Sequence, residues 1–125
     1  MASEMKVSRA RARHYQWGQG ADGWQLLNQP GLSVIEEIMP PGSNETAHWH
    51  SKARQFFYVL EGQLVLQFNS SHVELSAGEG FHIAPEQVHQ ARNNSNENCR
   101  FLVISSPHSH GDRVDVALDS KPTAA

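Results

Sequence analysis

The residues of this chain best placed to do chemistry are His48-Trp49-His50, Gln55 and His89. On a β-strand, residues i and i+2 project to the same face, so both imidazoles of the first pair point one way and Trp49 the other. Two rings about 7 Å apart along a strand can converge on one metal ion. Gln55 opens the apolar stretch Gln55-Phe56-Phe57-Tyr58-Val59-Leu60. An amide buried there needs a partner. Either it sits at a wet strand end, or its side-chain oxygen is a third ligand. His89 follows Ile83-Ala84-Pro85-Glu86-Gln87-Val88, a strand end and a proline-led turn. It then starts a new strand and can face inward.

The elements that must position these groups read as short strands separated by turn residues. The candidates are Leu32 to Met39, Gln55 to Leu60, Gln63 to Phe68, His72 to Leu75, Phe81 to Ala84, His89 to Asn93 and Arg100 to Ser105. Pro40-Pro41-Gly42, Asn69-Ser70-Ser71, Ala77-Gly78-Glu79-Gly80 and Pro107 punctuate them. Strands at this spacing, with no long helical period, predict an all-β sandwich or barrel. Gly20 to Asn28 is read as an edge strand or a dimer arm.

Length and composition bound the rest. The chain has 125 residues, 38% hydrophobic and 18% charged, with a formal net charge of -3. That suits one soluble domain with its own core. Residues 1–16 are read as an N-terminal arm, 17–116 as the domain and 117–125 as a polar, disordered tail. The basic residues Lys6, Arg9, Arg11 and Arg13 fall in that arm and read as solvated. No long basic run exists, so nucleic acid is not an expected partner. Cys99 is the single cysteine, which rules out an intrachain disulfide. No apolar run approaches membrane-spanning length. A cytoplasmic enzyme or binding protein with a small-molecule ligand, and no membrane partner, is the expectation.

Two stretches carry a family resemblance. Gly42-x5-His48-x-His50-x4-Gln55-x6-Gly62 resembles the first cupin motif, with Gln55 where glutamate is usual. Gly78-x5-Ala84-Pro85-Glu86-x2-His89-x3-Asn93 resembles the second, with Ala84 in place of proline and Glu86 in place of glycine. The resemblance implies a double-stranded β-helix, or jelly-roll barrel, holding one divalent transition metal inside. The ligands it implies are His48, His50, Gln55 and His89. Zinc or nickel is expected in purified protein, and iron, manganese or cobalt also suit such a donor set.

The substitution at Gln55 bears on the chemistry. A neutral carbonyl oxygen beside three neutral imidazoles leaves the full +2 charge on the ion, which favours Lewis-acid catalysis. The cupins that use three histidines and a glutamine include polyketide cyclase-like proteins and uronate ring-opening enzymes. The ring-opening enzymes carry an acid on the last strand and an arginine after Ser-Pro. Aligned on Ser106-Pro107, those positions here hold Val103 and Ser109. Arg113 is a nearby cation. The expected function is a non-redox isomerase, cyclase or lyase acting on a carbonyl or enolisable small molecule. An iron-dependent dioxygenase and a non-enzymatic metal-assisted sensor are the alternatives. Met39, Phe57 and His82 are candidate pocket residues, His82 as an acid–base group. His108 and His110 read as loop residues. Phe56, Tyr58 and Leu60 point away from the ligand face and need covering, so a homodimer is expected, with Trp17 to Leu27 as a crossing arm.

Overall fold

The computed structural model describes residues 6–109 and 111–118. Its elements are all strands: β1 (Arg13–Trp17), β2 (Ala21–Gln29), β3 (Leu32–Met39), β4 (His48–His50), β5 (Arg54–Glu61), β6 (Gln63–Gln67), β7 (His72–Ser76), β8 (Gly80–Ile83), β9 (Gln90–Arg92), β10 (Cys99–Ser106) and β11 (Arg113–Asp115). One antiparallel sheet runs β1-β2-β3-β10-β5-β8, and a second runs β7-β6-β9. A third sheet pairs β11 with β4, and isolated bridges tie His48 of β4 to His89, just before β9, and Asn44 to Arg92 at the end of β9. No helix among the described residues is long and apolar enough to cross a membrane.

Alternation of buried and more exposed residues along β5 and β10 explains the barrel. Phe57 and Val59 lie opposite Val103 and Phe101 in register, and all four are buried. Met39 from β3, Leu64 and Leu66 from β6, Leu75 from β7 and Ala91 from β9 complete the interior. Phe56, Tyr58, Leu102 and Ile104 fall on the outer face by the same alternation. Cys99 is packed inside, where burial pushes its thiol up to about 12. Residues Trp17 to Leu27 lie in this chain's own sheet, because β1 pairs with β2 and β2 with β3. β1 is the sheet edge, and it takes in the last residues of the stretch expected to be an arm.

Turn chemistry fixes the ends of these strands. Gly62 joins β5 to β6 at φ +84°, and a Cβ there would sit 2.5 Å from the Asn98 carbonyl oxygen. Only glycine fits. Glu86 holds the corresponding left-handed conformation, φ +70°, without being glycine. Its N–H donates to the His50 carbonyl at 2.7 Å, so the turn that launches His89 is tied to β4 despite the strain. Glu86→Gly should therefore raise unfolding free energy by about 0.5–1 kcal/mol, the left-handed penalty less glycine's extra chain entropy. Urea denaturation checks this, and a loss of stability would contradict it.

Candidate metal centre

Two strand ends and a backbone bridge bring the site together. His48 and His50 share one face of β4, and Gln55 faces inward from β5. The His48 N–H donates to the His89 carbonyl at 3.0 Å, and the His89 N–H returns a bond to His48 at 2.9 Å. This bridge sets the two rings 4.4 Å apart between centroids. All four side chains are buried. One ring nitrogen from each of His48, His50 and His89 lies within 4.8 Å of the others.

Hydrogen bonding decides which nitrogens are free. His48 Nδ1 bonds the Thr46 carbonyl at 2.8 Å, and His89 Nδ1 bonds the Gln87 carbonyl at 2.9 Å. His50 Nδ1 bonds Asp112 Oδ1 at 2.8 Å. Each acceptor is an oxygen, so each Nδ1 carries the proton and each Nε2 keeps its lone pair. His89 Nε2 is buried without a partner. Gln55 Nε2 donates to Ser105 Oγ at 3.1 Å, which leaves Gln55 Oε1 buried and unpartnered as well. Orphaned buried acceptors are costly, and a cation among them would satisfy both. The cluster of three imidazoles suggests a metal site of the kind typical of cupins, and the orphaned Gln55 oxygen fits a neutral fourth donor.

Asp112 lies 62 residues from His50 in sequence and was not foreseen as part of the site. Its Oδ2 also accepts the Lys52 and Ala53 amides, each at 3.0 Å. Burial acts to raise the Asp112 carboxyl, but those amides and His50 outweigh it and hold it below the usual carboxylate range. An acceptor in this position fixes the ring and strengthens it as a ligand. Asp112→Ala should weaken Zn2+ binding 10- to 100-fold, on the order seen for such partners. Calorimetric titration checks it, and unchanged affinity would contradict it.

Burial, with the neighbouring imidazoles, pushes His48 down to about 3, and burial pushes His89 down to about 4. Burial raises Glu37 to about 8 and Glu45 to about 7. The two pairs act in opposite directions on stability. The histidines contribute stability above 6.5 that is lost as pH falls toward 4 and 3. The glutamates contribute stability below 4.5 that is lost as pH rises toward 7 and 8. Between about pH 4.5 and 6.5 the slopes cancel. Metal-free protein should therefore show a plateau of unfolding free energy in that window and decline on both sides. A monotonic rise from pH 4.5 to 8 in urea titrations would contradict this.

A cavity of about 300 Å³ opens on His48, His50 and Gln55. Phe57, Ile35 and Val103 give it apolar walls, and Tyr15, Trp17, Glu37, Glu45 and Arg113 also line it. Phe57 thus lies where the sequence placed it. Met39 does not line this cavity; it is fully buried in the core, in register with Cys99. His82 is a correction. Ile83, opposite Gln55, takes the inward position on β8, so His82 falls on the exposed face opposite Phe56. His108 borders two other surface pockets, next to Gln25 and Asn28. His110 lies outside the described residues. Arg113 reaches the cavity from β11, with its Nε on Asp115 at 2.7 Å and its Nη2 on the Thr46 carbonyl at 3.3 Å.

Comparison with known proteins places these features in context. Residues 35–105 match the cupin domain. An uncharacterized protein of Methanocaldococcus jannaschii is 31% identical over 81 residues, 64% of this chain and 65% of that protein. The polyketide synthase protein CurC of Streptomyces cyaneus is 33% identical over 70 residues, 56% of this chain and 46% of the relative. This chain therefore spans less than two thirds of either relative's length. The polyketide cyclase RemF of Streptomyces resistomycificus superposes with a TM-score of 0.77 at 20% identity, covering 94% of this chain and 89% of that one. That likeness shows the double-stranded β-helix fold. With the matched domain covering more than half its length, and the barrel and buried imidazole cluster in place, the chain belongs to the cupin family.

Proposed function

We propose that His48, His50, Gln55 and His89 hold one divalent transition metal, zinc or nickel as purified. On this reading the protein is a non-redox isomerase, cyclase or lyase acting on an enolisable carbonyl compound. The observation that carries it is the neutral donor set: three Nε2 lone pairs freed by Nδ1 bonds, and an unpartnered amide oxygen in place of a carboxylate. When bound, the ion supplies undiminished positive charge that draws electron density from a carbonyl oxygen. The chain's own residues do the rest. Phe57, Ile35 and Val103 give the reacting atoms an apolar wall, and the cavity is at the small end of the range for ligand sites. The resemblance to polyketide-pathway proteins adds support for an aromatic or polyketide-like carbonyl substrate.

Metal analysis followed by two assays tests this. Zinc-loaded protein should catalyse deuterium exchange from D2O into a carbonyl probe, and iron-loaded protein should consume no O2 with diketones or flavonols. Oxygen uptake without exchange would overturn the reading in favour of a dioxygenase. Tight probe binding without either would favour a sensor.

We also propose a homodimer. Phe56 and Tyr58 on β5 and Leu102 and Ile104 on β10 form a continuous outer face, with Phe56 39% exposed. A monomer by light scattering would contradict it.

A further inference from the structure

We infer that Glu37 carries the substrate's proton in this cavity and that Tyr15 is its positioning residue. The inference rests on the enolising function proposed above. Glu36 and Glu37 are adjacent on β3 and point to opposite faces. Glu36 lies on the outer face of the sheet and is buried there beside Arg100 at 3.3 Å and Arg9 at 3.7 Å. Glu37 points inward, in register with Gly23 of β2 and Phe101 of β10, and lines the same cavity as His48, His50 and Gln55. The cation that faces it, Arg113, is bonded to Asp115 and to the Thr46 carbonyl instead.

The neighbouring strands are built around it. A Cβ at Gly23 would sit 2.4 Å from Tyr15 Cζ, so the phenol ring lies directly across this glycine. From there its hydroxyl donates to Glu37 Oε2 at 3.4 Å. Trp17, two residues along the same strand, lines the cavity too, and its Nε1 is buried with no acceptor among the described residues. An indole N–H can only donate, and leaving it unmet is costly. A substrate oxygen would satisfy it. The ligand class is therefore a small carbonyl compound with a second oxygen acceptor.

Glu45, the other acid lining the cavity, is already engaged. Its Oε2 accepts the Ala91 N–H at 3.0 Å and lies 3.9 Å from His48 Nδ1. Among the described residues, the charged and titratable groups that share the cavity with Glu37 are Tyr15 from β1, Glu45 from the segment before β4, His48 and His50 from β4 and Arg113 from β11. Without metal, burial reinforced by Glu45 raises the Glu37 carboxyl to about 8, and a cation held by the histidines acts to lower it toward the neutral range in which a group both accepts and releases protons.

The step balances as follows. Glu37 in its carboxylate form takes H+ from the carbon next to the carbonyl. The C–H electron pair becomes the new C=C bond, and the carbonyl π pair moves to oxygen. Return of a proton from Glu37 to carbon reverses the sequence. In D2O the returned proton is a deuteron, and the substrate keeps it.

The test uses zinc-loaded protein with hydroxyacetone in D2O, followed by proton NMR. Wild type should incorporate deuterium. Glu37→Gln should do so at least ~100-fold more slowly, while binding one zinc per chain and keeping the wild-type circular dichroism. Glu37→Asp should restore part of the rate. Tyr15→Phe removes a donor that favours the carboxylate, so its rate–pH limb should move to higher pH. In the infrared, the metal-free protein at pH 6 should show a protonated-carboxyl band that metal-free Glu37→Gln lacks. Wild-type exchange in Glu37→Gln, or an identical carboxyl band in both proteins, would overturn this inference and leave the proposed function standing. A silent wild type would overturn the proposed function itself, and this inference with it.

Discussion

Replacing His89 with alanine is expected to lower Zn2+ affinity by more than ~100-fold, beyond what losing an outer partner such as Asp112 costs. His89 Nε2 is one of two buried acceptors in the site with no protein partner, and its Nδ1 is fixed by the Gln87 carbonyl. No other ring can replace it, because the His48–His89 bridge is a backbone contact that positions this one residue beside His48. The same bridge survives truncation of the side chain, so the metal-free variant should keep its fold. Calorimetric titration with Zn2+ checks the affinity, and circular dichroism checks the fold. A change under tenfold would mean that the ion sits elsewhere.

Truncating Phe101 to alanine should cost about 3–5 kcal/mol of unfolding free energy, the range for a fully enclosed aromatic. Phe101 has no exposed surface and stacks on Phe57, with ring centroids 6.0 Å apart. Phe57 in turn presents its edge to His89, again at 6.0 Å. The cavity left by truncation would therefore loosen the wall that holds the His89 ring. Urea denaturation should show the full loss, and metal affinity should fall as well. A loss below about 1.5 kcal/mol would contradict the packing described for the barrel interior.

The residues that declared themselves in the sequence are those governed by short-range rules. Leu32 to Met39 is a strand because aliphatic residues fill it and Pro40 ends it, and β3 has those bounds. β5 runs from Arg54 to Glu61, one residue beyond the expected stretch at each end. The pairing of His48 with His50 on one face follows from the strand period alone. What escaped depends on sequence-distant contacts. Asp112 meets His50 across a loop, and nothing local marks it. Tyr15 and Trp17 enter the cavity only because β1 folds onto β2. Glu37 did carry a signal. Two consecutive glutamates in an apolar strand must point to opposite faces, so one of them had to enter the barrel. His82 was misplaced because alternation along β8 needed an anchor, and Ile83 opposite Gln55 supplies it.

Metal K-edge X-ray absorption of the zinc-loaded protein tests the central claim most directly. Wild type should show three imidazole nitrogens at about 2.0–2.1 Å together with oxygen scattering. One imidazole should disappear in His89→Ala, and the oxygen shell should change in Gln55→Ala. An ion without imidazole ligands, or a spectrum that neither substitution alters, would contradict the account.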